Sequence, residues 1–148
     1  MSCIFCDFVS GKKKIQRNDL PFFILHETPN TLSFLSMSFP EKEDGHILVI
    51  TKKHFTYIED IPQSIQHELI DHVVLITKTL RKTHEGCNIL LNDGRRAGQC
   101  VFHVHYHIIP RDKDDEIKIE IWKSKKPSLT DFKKLHSFLK KEIEKNNR

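Results

Sequence analysis

Polar and apolar positions alternate most strictly over His103-Val104-His105-Tyr106-His107-Ile108-Ile109-Pro110. Period two is the mark of a half-buried strand, so residues 100–109 are predicted as a strand, with Pro110 at its end. Alternate side chains share a face, which puts three imidazoles on one side, with Cα atoms roughly 6.5–7 Å apart. Val104, Tyr106 and Ile108 then point to the core. Four more strands are predicted. Residues 22–27 follow the break at Pro21, and residues 32–37 alternate after the turn Thr28-Pro29-Asn30. Residues 46–51 carry the continuous apolar run Ile47-Leu48-Val49-Ile50 of a central strand, and Ile89-Leu90-Leu91 is the last.

Helical spacing appears in three places. Ile4, Phe5, Phe8 and Val9 make a short turn ended by Gly11. Ile65, Leu69, Val73, Ile76 and Leu80 recur with helical period. Asp60 is the expected N-cap of that long helix, Pro62 lies in its first turn, and Gly86 is the expected stop. Phe132, Leu135, Phe138, Leu139 and Ile143 stripe a last helix behind Pro127-Ser128, with Asp131 completing a capping pattern. Residues 39–45 and 92–98 are turn-rich and predicted as exposed loops. Ile117, Ile119 and Ile121 alternate with Lys118, Glu120 and Trp122, a short strand or extended arm in which Trp122 is a packing anchor. Strands in succession, one inserted helix and a closing helix imply an α+β fold with a mostly antiparallel sheet.

Three imidazoles in register make poor core and poor sheet surface, so they are read as a site. Alternate histidines on a strand can share a zinc ion. Alternatively, one ring acts as nucleophile while its neighbours position it or carry protons. Cys3 and Cys6 form a C-x-x-C pair with no strand before it, which favours half of a zinc site over a redox motif. Four cysteines in a chain of 148 residues do not suggest a disulfide framework. With 38% hydrophobic and 30% charged residues the chain has the composition of a soluble domain, and no apolar run approaches membrane-spanning length. No secretory signal is recognised at the N-terminus, and a cytoplasmic location is expected. The formal charge of +4 is concentrated in Lys12-Lys13-Lys14 and residues 123–148. These runs are read as solvated faces, since no aromatic platform accompanies them, and nucleic-acid binding is not expected.

The run His-Val-His-Tyr-His-Ile-Ile resembles the signature of the histidine triad (HIT) proteins. So do Cys3-Ile4-Phe5-Cys6, Gly45-His46-Ile47-Leu48-Val49-Ile50-Thr51-Lys52-Lys53-His54, Asn92-Asp93-Gly94 and Gly98-Gln99-Cys100-Val101-Phe102. The resemblance implies one HIT domain over residues 1–148, with a core at about 3–122 and a basic helical extension at 123–148. It implies a five-stranded antiparallel sheet with helices on one face, and a homodimer whose two sheets join. The implied activity is hydrolysis of nucleoside phosphoramidates or related purine nucleotide conjugates through a nucleotidyl group on His105. His107 would bind a phosphate oxygen or protonate the leaving group, and His103 would orient His105. Dinucleoside polyphosphate hydrolysis, or nucleotide and zinc binding without turnover, are the alternatives. Asn92 matches a residue on the nucleoside or leaving-group side, equally suited to a turn. Gln99 and the backbone near Cys100 could donate to phosphate. Phe5 and Phe8 match positions lining the base pocket, though plain core is an equal reading.

Two departures from the family pattern stand out. Ser36 replaces the usual ribose-binding Asp, with Glu41 or Asp44 as conceivable substitutes. Cys100 stands where Ser or Thr is common, read as an inert buried thiol rather than an oxidation-sensitive one. The resemblance also implies structural zinc held by Cys3, Cys6, His54 and His103, and no organic cofactor.

Overall fold

A computed structural model describes residues 3–119, 121 and 123–146. Two compact units emerge, Met1–Ile117 and Lys118–Arg148. The first contains helix α1 (Ile4–Val9), strands β1 (Ile24–Glu27), β2 (Thr31–Leu35) and β3 (Ile47–Thr51), helix α2 (Gln63–Leu80), and strands β4 (Gly86–Leu91) and β5 (His105–Arg111). The strands form one sheet in the order β1-β2-β3-β5-β4, with every neighbouring pair antiparallel. The α+β class and the five-stranded antiparallel sheet are as predicted.

Alternation along the strands divides the apolar residues between two cores. Ile47 and Val49 of β3, with Val104 and Ile108, pack against Leu69, Val73 and Ile76 of α2. Leu48 and Ile50 point the other way, joining Leu32 and Phe34 of β2 and Phe5 and Phe8 of α1. Helices therefore cover both faces, not one. The long α2 seals one side, and the six-residue α1 covers only part of the other. The second side retains an opening.

Several boundaries differ from expectation. Asp60 caps a 3-10 turn at Ile58–Asp60, its carboxylate accepting the Tyr57 N–H at 3.3 Å, and α2 begins only after Pro62. The helix stops at Leu80 and Gly86 opens β4 instead. The fifth strand starts at His105, not residue 100. Upstream, the His103 N–H bonds the Val101 carbonyl and the Val104 N–H bonds that of Phe55, so neither joins the ladder. Pro110 is inside β5. Pairing with β3 ends at Ile108, so Pro110 faces a strand on the β4 side alone. Residues 115–119 form no strand, and Trp122 lies outside the described residues.

The second unit carries helix α3 (Leu129–Asn146). The Asp131 N–H donates to Ser128 Oγ at 3.1 Å, and that hydroxyl donates to the Asp131 carboxylate at 2.7 Å, as the sequence suggested. Its apolar stripe, Phe132 through Ile143, is exposed. No helix among the described residues is long and apolar enough to cross a membrane.

Candidate active site and thiolate–imidazole cluster

Register brings the histidines together. Across the β3–β5 ladder Leu48 faces His107 and Ile50 faces His105, on the side of the sheet that α1 only partly covers. A cavity of about 280 Å³ opens there, lined by Phe5, Phe8, Phe34, Ser36, Cys100, His105 and His107, with Gln16 and Arg17 at its edge.

His105 is held in one tautomer. Its Nδ1 lies 2.7 Å from the His103 carbonyl oxygen. A carbonyl only accepts, so Nδ1 carries the proton and Nε2 keeps its lone pair. Phe5 stands edge-on to the ring at 5.2 Å. Burial lowers the proton affinity of His105, partly offset by its bond to the His103 carbonyl. The ring is therefore neutral at pH 7, the state in which an imidazole is a nucleophile.

His107 is fixed through a relay. His46 Nδ1–H donates to the Ser38 carbonyl at 2.8 Å, which leaves its Nε2 as acceptor for His107 Nδ1–H at 2.9 Å. Burial, then the neighbouring His105 and His46 rings, push His107 down to about 4. His46 is also lowered by burial. A phosphate arriving among these neutral rings would bring negative charge and raise their proton affinity. One ring could then donate a proton to a leaving group while its neighbour attacks.

His103 does something different. It lies just before β5 and is fully buried, and it does not line the cavity. Its Nε2–H donates to the Thr51 carbonyl at 2.7 Å, so Nδ1 is the free nitrogen. That Nδ1 sits 3.4 Å from Cys3 Sγ and 3.6 Å from Cys6 Sγ. His54 Nδ1 sits 3.4 Å from Cys6 Sγ. The orienting role expected of His103 is carried by its backbone carbonyl, while its ring belongs to this second cluster.

The four ligand atoms of Cys3, Cys6, His54 and His103 lie within 4.8 Å of one another. A tetrahedral Zn²⁺ with S ligands at about 2.3 Å and N ligands at about 2.0–2.1 Å requires ligand–ligand separations of roughly 3.4–3.8 Å. The donor set and spacing fit that ion. Burial, then the adjacent Cys3 thiol, push Cys6 up to about 11, so without a cation it stays protonated at pH 7. A divalent cation reverses that preference. Burial holds His103 at about 4, the neutral form a metal requires. The Thr51 carbonyl supplies the outer hydrogen bond that orients such a ligand.

The other predicted residues divide. Phe5 and Phe8 serve both as core and as cavity wall; Phe8 stacks on Phe22 at 4.4 Å. Ser36 lines the cavity, and its Oγ accepts the Ser38 N–H at 3.3 Å. Neither Glu41 nor Asp44 reaches the cavity. Cys100 lines it too, but is exposed rather than buried. Gln99 and Asn92 do not line it. Both ends of the Gln99 amide are occupied, accepting the Gly94 N–H at 2.9 Å and donating to the Thr56 carbonyl at 2.8 Å. It braces the 94–99 loop, where Gly94 and Gly98 have φ of 93° and 89°.

Sequence reasoning gave no role to His46, Gln16 or Arg17. The signal for His46 was present. It shares parity with Leu48 and Ile50, and so lies on the histidine face.

Comparison with known proteins comes to the same architecture. A family model described as "HIT domain" matches residues 17–114. An adenosine 5'-monophosphoramidase of Candida albicans is 36% identical across 97% of this chain and 93% of its own length. The crystal structure of a histidine triad nucleotide-binding protein from Candida albicans superposes with a TM-score of 0.79 at 33% identity, covering 97% of this chain and 99% of that one. A Zn-bound histidine triad family protein from Mycobacterium smegmatis has a TM-score of 0.61 at 32% identity, covering 80% and 81%.

Proposed function

Because the chain belongs to the HIT domain family, we propose that it is a hydrolase cleaving nucleoside phosphoramidates or related purine nucleotide conjugates through a nucleotidyl group on His105. The observation that carries this reading is the His105 tautomer. Nδ1–H is tied to the His103 carbonyl, and Nε2 is left with a lone pair beside an open cavity. The phosphoramidase activity of the Candida albicans relative supports the choice of substrate class.

In the first step His105 Nε2 attacks the α-phosphorus. The P–N bond to the amine breaks, and His107, which takes up a second proton on Nε2 when the phosphate binds, gives that proton to the amine. In the second step water attacks the phosphorus, His107 takes its proton, and the P–Nε2 bond breaks to free the nucleoside monophosphate. Each step replaces one bond to phosphorus with another, the benefit of covalent catalysis. His46 keeps His107 in the tautomer whose Nε2 faces the phosphate. Phe5 and Phe8 offer an apolar wall to the base, and Ser36 offers a neutral hydroxyl where a carboxylate would bind ribose more strongly. Gln99 braces the loop preceding the site rather than the ligand, and Asn92 stands outside the cavity wall.

Structural Zn²⁺ at Cys3, Cys6, His54 and His103 forms part of the same proposal. Held by those four residues, it would fasten the N-terminal segment beside His105. The chain is one catalytic domain with a basic C-terminal helix, and its four free cysteines suit the reducing cytoplasm. It works as a homodimer. Ile70, Val74 and Leu75 of α2 and Ile89 of the edge strand β4 are exposed apolar residues that a second copy could cover. Sedimentation of the protein at micromolar concentration checks this; a monomer there refutes the dimer.

The experiment on function compares turnover of adenosine phosphoramidate by the unmodified protein and by His107→Ala. A loss of about 10²–10⁴-fold is expected for an acid–base group. Unchanged turnover removes His107 from the reaction.

A further inference from the structure

Away from the cavity, three loops converge on a second group of potential ligands. Glu43 comes from the β2–β3 loop, His84 from the turn after α2, and Asp112 follows β5. One ligand atom from each lies within 4.8 Å of the others. His84 Nδ1 is 2.6 Å from Asp112 Oδ2 and 3.7 Å from Glu43 Oε2. Asp112 Oδ1 accepts the Glu85 N–H at 2.7 Å, which fixes the carboxylate's orientation.

Glu43 is the anomaly. Its side chain is only 5% exposed, and the nearest charged partner of its carboxylate is the His84 ring at 3.7 Å, too long for a hydrogen bond. A carboxylate this close to buried is costly unless a cation offsets its charge. The Arg111 guanidinium acts on Glu43 through its charge alone, because its N–H groups are taken by Asp115, Asn88 and the Ile117 carbonyl. Lys42 turns away to Glu116. A nearly buried carboxylate aimed at an imidazole and a second carboxylate is what a cation site looks like before it is filled.

We propose that Glu43, His84 and Asp112 bind a divalent first-row transition metal ion, independently of the thiolate cluster. Two carboxylate oxygens and one imidazole nitrogen suit the harder members of that series, Mn²⁺ among them, while two thiolates suit Zn²⁺. Three protein ligands leave positions for water. The ion would fasten the β2–β3 loop to the end of β5. That loop also contains Ser38, whose carbonyl holds His46 against His107. Filling the site therefore stiffens the support behind the catalytic face without touching it.

Mn²⁺ is the probe, because it discriminates against thiolates. The protein is titrated with Mn²⁺ while the electron paramagnetic resonance signal of the free aquo ion is followed. One ion per chain should disappear from that signal. Glu43→Gln and Asp112→Asn should each weaken uptake by at least about tenfold. Broadening of the His84 ring resonances in the unmutated protein reads the site without any substitution, with His67 at the far end of α2 staying sharp. No uptake by the unmutated protein, uptake unchanged in both variants, or an unbroadened His84 would overturn the proposal.

Discussion

His72 and His105 are both buried histidines with lowered proton affinity, and only one of them is built to react. His72, on α2, uses both ring nitrogens. Ser33 Oγ donates to the His26 carbonyl, so it accepts His72 Nε2–H at 2.9 Å, and Nδ1 meets the Thr31 hydroxyl at 2.7 Å. Burial, followed by the His26 ring, pushes it down to about 4. Thr31 and Ser33 are the β2 residues facing α2, so His72 satisfies a polar patch in an otherwise apolar interface. His105 has one nitrogen tied to backbone and the other beside a cavity. A depressed pKa alone identifies neither. What separates structural from reactive imidazole is a lone pair with space in front of it.

Exchanging the two roles by mutation should fail in opposite ways. His105→Asn should lower turnover of adenosine phosphoramidate by at least about 10³-fold, because the nucleophile is gone, while leaving the thermal midpoint nearly unchanged. His72→Ala should do the reverse. Two hydroxyls lose their partner and a cavity opens, so stability falls by about 2–4 kcal/mol in denaturant titration, with turnover within about twofold. Loss of activity in a folded His72→Ala would erase the distinction.

Acid should also expose His72. Its ring takes a proton at about pH 6.5 when unfolded but only at about 4 when folded. Its contribution is therefore complete above pH 6.5 and lost as pH falls toward 4, amounting to about 3 kcal/mol at 1.36 kcal/mol per unit. His72→Phe should flatten that slope in urea titrations across pH 4–7; an unchanged slope would assign it to other groups.

The smallest effect is expected at His46. It touches His107 rather than the phosphate, so His46→Ala should reduce kcat by about 10–100-fold, with KM little changed. A pure KM effect would place His46 against the ligand instead.

Strand parity made much of this readable before any coordinates. Alternation alone placed His105 and His107 opposite Val104, Tyr106 and Ile108, and the C-x-x-C pair announced the thiolate cluster. Non-local hydrogen bonding was harder to see. His103 leaves the ladder because its own N–H bonds to Val101 and that of Val104 bonds to Phe55, and nothing in the local pattern shows that. His46 acquires its role from the register that sets Leu48 against His107. Gln99 looked like a phosphate donor because it precedes the triad, yet the turn at Gly94 needs its amide more. The β2–β3 loop hides Glu43 among ordinary charged residues, and only the fold shows it buried.

The most direct measurement is acid quenching of the protein during turnover of adenosine phosphoramidate, followed by mass spectrometry of its peptides. One adenylyl group on His105 is the expected result, present in His72→Ala and absent from His105→Asn. Product formed with no adduct within the burst phase, or an adduct on any other residue, would contradict a covalent route through His105.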